Sequence, residues 1–174
     1  MELLLASFQN EITKLIIQNL QLELSTEQQK KLNTLPTKNE KAYDLYLRSF
    51  DLKHHQAESA KKGIQLMEEA IQLDPNFSEA YSALSTFYWM LAEQSPASPL
   101  ANWQKSKKMA EKAIQLNPDN AGGWNNLGIT QTNFDWDLAA VEKSYLKALS
   151  LNPKNRIDYV TYLRRINQPK RAIK

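Results

Sequence analysis

AIQLDPNFSEAYSALS at residues 70–85, AIQLNPDNAGGWNNLG at 113–128 and ALSLNPKNRIDYVTYL at 148–163 are one pattern written three times. Each copy starts on an alanine, runs through an apolar stretch to an Asp-Pro or Asn-Pro stop, and sets an aromatic, Tyr81, Trp124 or Tyr159, at the same distance beyond it. A proline lacks the backbone N–H that a helix interior requires. It also drives the residue before it, here Asp74, Asn117 or Asn152, out of helical backbone. The pattern reads as the end of one helix, a turn and the start of the next, and its recurrence makes the chain an all-α helical repeat array. The copies begin 43 and 35 residues apart, so extra chain has entered the second unit, around the proline-stiffened stretch Ala92–Leu100.

Composition agrees. Gly and Pro number only 4 and 7, and helix-favouring Ala, Leu, Gln, Lys and Glu are abundant. A hydrophobic content of 42% supplies one or two small cores. Without cysteine there is no disulfide, zinc-thiolate site or thiol nucleophile, and a reducing, cytoplasmic setting is expected. The net charge of +3 is unevenly placed: between Asn152 and Lys174 seven basic residues face the single acid Asp158. A solvated last helix pair accounts for this. Beyond Tyr159 and Tyr162 there is no aromatic platform, so a nucleic-acid partner is not expected.

The first 24 residues carry Glu2, Glu11, Lys14 and Glu23 and no apolar run of membrane-spanning length, which excludes a span or secretion signal there. Leu5, Phe8, Ile12, Leu15, Ile16 and Leu20 instead mark one stripe of an amphipathic helix. Two covers suit that stripe: the first repeat near Tyr43, Leu47 and Phe50, or the same helix of a second chain. Its length and regularity suit the second, so a homodimer through residues 1–24 is expected, which sedimentation of the intact chain would reveal. A capping box follows at Ser25-Thr-Glu-Gln28, then a linker at Asn33–Asn39, with Asn39 placed to cap the next helix. The expected organisation is 1–38 as helix, short helix and linker, and 39–174 as the repeat domain.

The offsets identify the repeat. Tyr81, Leu84, Ser85 and Tyr88, and again Trp124, Leu127 and Gly128, resemble the aromatic, leucine and small-residue positions of tetratricopeptide repeats, with Gln131 departing. Gly63, Ala70, Ser106, Ala110, Ala113 and Ala148 match the close-contact positions of the second helices. The resemblance implies an antiparallel helix-pair solenoid of about eight helices, holding three repeats and a truncated or degenerate fourth in which Leu163 stands where a small residue is usual. The segment from Leu3 to Phe50, together with FDWDLAAVEKSYLKALSLNP from Phe134, is further similar to the region that joins a TolB amino-terminal-like domain to such repeats in bacterial signalling proteins. There, a class III adenylate/guanylate cyclase or a winged-helix domain lies upstream. That implies a scaffold of a larger signalling protein, or the regulatory fragment of a cyclase, or the effector domain of a transcription regulator.

Nothing in the chain reads as catalytic, cofactor-binding or metal-binding, and no enzyme activity is expected. His54 and His55 are adjacent and point about 100° apart on a helix. Asp135 and Asp137 precede a helical run and suit capping. Gly122-Gly123 follows no strand and reads as a loose helix start, and Glu68-Glu69 as a solvated face. Trp89 and Trp103 flank the inserted loop and are expected to pack it down. The functional surface is the inner groove lined by first helices, with Glu79, Ser82, Thr86, Trp89, Met90, Asn125, Ile129, Thr132 and Asn133 as the candidate peptide-contacting residues; solvation, or cover by the amino-terminal helix, is the alternative. The chaperone-tail carboxylate clamp of the family is not expected. Ser82 and Thr86 replace its Lys and Asn, and Ile157 and Thr161 replace its basic pair, leaving only Asn126.

Overall fold

The computed structural model describes residue 15 and residues 35–52, 56–94, 99–135 and 137–173. These residues hold seven α-helices and two 3-10 segments, with no strand among them. In chain order the helices are α1 (Glu40–Ser49), α2 (Ala57–Leu73), α3 (Ser78–Gln94), α4 (Pro99–Leu116), α5 (Ala121–Phe134), α6 (Leu138–Leu151) and α7 (Arg156–Arg165). Helices α1–α2, α3–α4 and α5–α6 are consecutive pairs, and α7 opens a fourth unit that continues into the 3-10 segment Pro169–Ile173. Of the amino-terminal stripe, Leu15 is described, in a helix and exposed. Leu5, Phe8, Ile12, Ile16, Leu20, the capping box, His54-His55 and the loop at 95–98 lie outside the described residues.

The three proline stops build one junction. Asp74, Asn117 and Asn152 each donate their backbone N–H to the carbonyl four residues back, on Ala70, Ala113 and Ala148, all at 2.9 Å. Asp74 and Asn152 then adopt extended backbone. The side-chain oxygen of each Asx residue accepts the N–H two residues on, from Asn76, Asp119 and Lys154, at 3.0 Å every time. Its carbonyl accepts the next N–H, from Phe77, Asn120 and Asn155, at 2.9–3.1 Å. Such Asx turns satisfy the donors that a proline-broken helix leaves open. The entry to α1 is tied to the first of them, since Asn39 Oδ1 caps Ala42 N–H, Asn39 Nδ2 donates to the Leu73 carbonyl, and Thr37 Oγ1 donates to Asp74.

Small residues set the distance between helices. Ala60, Ala70, Ala110, Ala113, Ala148, Ser85 and Ser106 are all fully buried. Ser85 and Ser106 exchange bonds across α3 and α4, each hydroxyl donating to the other's carbonyl at 2.9 Å. Thr130 on α5 lies 3.2 Å from the Ser106 hydroxyl and donates to its own Asn126 carbonyl. Gly63 allows α2 to lie on the Phe87 ring, and Gly128 lets α5 lie on the Tyr145 ring. Gly122-Gly123 is not a loose start. Asn120 caps Gly123 N–H at 2.8 Å, and a Cβ at Gly123 would crowd Ala113 and Ile114 at 3.2 Å. Asp137 caps α6 through Ala139 and Ala140 N–H, and Asp135 pairs instead with Lys107.

Large residues fill what remains. One core joins Leu45, Leu66, Met67, Phe77, Leu84, Phe87, Tyr88 and Met90, and a second joins Val141, Tyr145, Tyr159, Tyr162 and Leu163. Leu163 is fully buried in this second core, where three tyrosine rings pack with centroids 5.5–6.3 Å from one another. Helix α7 stops in a Schellman motif: Asn167 turns left-handed at φ 57°, and Gln168 N–H donates to the Leu163 carbonyl at 2.8 Å. Arg171 then folds the tail back onto Glu142, which also accepts the Tyr159 hydroxyl.

Gly63→Ala should lower stability by about 1 kcal/mol or more, although alanine is the better helix former, because its Cβ would stand 2.4 Å from the Phe87 ring. Gly128→Leu, whose Cβ would meet Tyr145 at 2.9 Å, should lower it by about 1–3 kcal/mol or more. Denaturant unfolding measures both, and wild-type midpoints would refute the packing described. Burial also pushes the Tyr46, Tyr88 and Tyr145 phenols up to about 12, so the folded chain holds protons that the unfolded chain releases near pH 10. Their contribution is complete below pH 10 and falls as pH rises towards 12. An ultraviolet titration should therefore show a late tyrosinate step that merges with unfolding, whereas a single step near pH 10 in the folded chain would contradict it.

Candidate functional site

The first helices lie side by side and are tied by asparagines. Asn126 on α5 donates through Nδ2 to the Ser82 carbonyl at 2.7 Å and to Thr86 Oγ1 at 2.9 Å, both on α3. Asn125, one residue earlier, donates to Asp158 on α7 at 2.8 Å. With its amide committed to α3, Asn126 serves as a packing residue.

Helices α1, α3 and α5 enclose a recess of about 250 Å³. Its α1 wall is Tyr46, Ser49 and Phe50; its α3 wall is Ser82, Ala83, Thr86 and Phe87; Gly122, Asn125 and Asn126 close it from α5. Phe50 stands 62% exposed at the rim, edge-on to Tyr46 at 4.9 Å, and Tyr46 in turn meets Phe77 at 5.2 Å. Burial, then the Glu79 carboxylate, raises the Tyr46 phenol to about 12. Glu79 is itself raised by burial. A wider depression of about 560 Å³ on the α3–α4 side, between Tyr81, Lys108, Met109, Glu111, Lys112 and Gln115, has a mixed-charge lining.

Of the nine residues expected in the groove, Ser82, Thr86 and Asn125 line this recess. Glu79 stands beside it. Met90 does not belong: it is 2% exposed and packed in the first core, because its position on α3 faces the paired helices rather than the groove. Ile129 leans on the second core. Thr132 and Asn133 donate to carbonyls of their own helix, at Gly128 and Ile129, and Asn133 Oδ1 accepts from Arg165 at 3.1 Å. Trp89 is half-buried, with its Nε1 buried and unbonded. Sequence reasoning misses the whole α1 wall. The available signal is the 3- and 4-residue spacing of Tyr46, Ser49 and Phe50, which places them on one face of a helix that the first Asp-Pro stop requires as partner.

Among the described residues no three His, Cys, Asp or Glu side chains gather to hold a metal, and no helix is long and apolar enough to cross a membrane. No protein-family profile matches the chain. The human protein O-mannosyl-transferase TMTC3 is 32% identical over 93 residues, which is 53% of this chain and 9% of that protein, so the chain spans less than a tenth of that relative's length. Two solved structures share the fold. The first TPR domain of Spaghetti (RPAP3) bound to the HSP90 peptide SRMEEVD superposes with a TM-score of 0.58, at 17% identity, over 78% of this chain and 97% of that one. TTC0263, a thermophilic TPR protein of Thermus thermophilus, superposes with a TM-score of 0.65, at 18% identity, over 83% of this chain and 73% of that one. Repeated Asx-Pro junctions, small buried residues where α2 to α6 meet and these superpositions give one answer for the fold: a tetratricopeptide-type solenoid of antiparallel helix pairs.

Proposed function

We propose that this chain is a protein-interaction scaffold that holds a peptide or partner segment in the recess between α1, α3 and α5. The observation that carries the reading is the recess itself: an exposed aromatic, Phe50, beside a small concavity with polar groups converging from three successive first helices. Exposed aromatics at the edge of a preformed pocket are the anchors on which peptide recognition turns. A volume of about 250 Å³ falls below the roughly 300–1,000 Å³ of cofactor and drug-sized sites, and suits one or two side chains.

The scaffold belongs, on this reading, to a larger cytoplasmic bacterial signalling protein, as the likeness of residues 3–50 to TolB-linked signalling proteins suggests. The cyclase-fragment and transcription-effector alternatives rest on the same likeness, and nothing among the described residues favours them. Pairing through residues 1–24 is a separate proposal, on the apolar stripe alone.

Selection of a displayed random peptide library on the intact chain tests the recess reading. Phe50→Asp, at an exposed position, should leave the helical circular dichroism unchanged and weaken selected peptides about tenfold or more. Peptides that bind wild type and Phe50→Asp equally would place the partner surface elsewhere.

A further inference from the structure

The recess is unusual in which half of each hydrogen bond it leaves open. Ser49 donates its hydroxyl proton to the Tyr46 carbonyl at 2.6 Å, Ser82 to the Glu79 carbonyl at 3.1 Å, and Thr86 to the Ser82 carbonyl at 3.2 Å. Asn126 Nδ2 is committed to α3 and Asn125 Nδ2 to Asp158. Apart from the Tyr46 phenol, every side-chain donor atom in the wall is thus bonded inward. Besides the Tyr46 O–H and the second Asn125 N–H, what remains is oxygen lone pairs. Asn125 supplies the sharpest case: the residue is 8% exposed, and its Oδ1 is buried with no partner at all. A buried acceptor left open is worse off than a bonded one, so a donor that reaches this oxygen is favoured.

Charge follows the same sense. No Lys or Arg is among the described residues that line the recess. Two carboxylates each act on one lining residue: Glu79 on the Tyr46 phenol, and Asp158 as acceptor of the Asn125 amide. On α1, Arg48 is paired with Asp44 of its own helix at 3.5 Å. The apolar part of the wall is aromatic, and a ring face attracts a cation.

Resting on the recess as the partner site, we propose that its occupant is a lysine or arginine side chain of a partner peptide. The aliphatic stem lies against Phe50 and Phe87, and the charged head donates to the open oxygens between Glu79 and Asn125. A long cation of this kind covers apolar surface with its methylenes and keeps its head on polar atoms, so one side chain meets both halves of the wall. The preference is opposite in sign to that for an acidic tail, for which the described lining of the recess offers no cation.

An array of acetylated and amidated decapeptides, carrying each residue type in turn at one position, is probed with the labelled intact chain in low and moderate salt. Binding should concentrate on peptides with Lys or Arg beside an apolar residue. Replacing that cation with Glu should weaken binding about tenfold, and raising the salt should weaken it further. Glu79→Gln should weaken the basic peptides about threefold, the size of one exposed charge pair, while binding of neutral peptides stays unchanged. Phe50→Ala should weaken all of them. A preference for acidic peptides, or indifference to charge with Phe50 still required, overturns the cation proposal and leaves the recess reading standing. Binding that ignores Phe50 overturns both. The absence of any bound peptide also overturns both, as it would if the recess were filled by another segment of this chain or by a second copy.

Discussion

Each unit of this protein is set against the next by a proline that ends a helix and a side-chain carbonyl that closes the turn. Proline alone would leave the junction open, because a broken helix exposes donors and acceptors and the chain could leave in many directions. The preceding Asp74, Asn117 or Asn152 removes that freedom, with its backbone still bonded to the old helix and its side chain already bonded to the turn. Trp124 Nε1 also donates to the Pro118 carbonyl at 2.8 Å, so the second junction is held from the first helix that follows it as well.

Fixed junctions bring the first helices within side-chain reach, and the small residues then decide how close. The buried hydroxyls of Ser85, Ser106 and Thr130 run through α3, α4 and α5, a polar line that is tolerable because each proton has a carbonyl to go to. Asn126 draws α5 onto α3 in the same way. The recess is a by-product of this economy of donors. The hydrogen bonds that hold the helices together turn the protons inward, and leave the groove wall with acceptors and aromatic rings.

The fold was legible in the sequence because its determinants are local and repeated. Prolines, Asx residues and alanines at fixed offsets have one structural reading, and Asn39 and Asp137 cap the helices they precede. The groove was less legible. Helical spacing on α3 and α5 gives Ser82, Thr86 and Asn125, which line the recess, and also Met90, which is buried because a rotation of about 100° per residue carries a side chain from one face of a helix to the next. Helix α1 follows no Asx-Pro stop, so the one-face spacing of Tyr46, Ser49 and Phe50 is the sole sign within the segment of its contribution. The direction of each hydroxyl proton, on which the character of the recess depends, is set by carbonyls of neighbouring turns and is invisible at the level of residue type.

If the Asx-Pro junction governs the arrangement, removing one side-chain carbonyl should be felt by the whole array. The decisive measurement is denaturant unfolding of Asn117→Ala, followed both by helical circular dichroism and by tryptophan fluorescence. Loss of the Asp119 N–H acceptor should lower stability by about 1–3 kcal/mol, with both signals moving together. A variant as stable as wild type would show that helix packing alone sets the units in place, and would contradict the account.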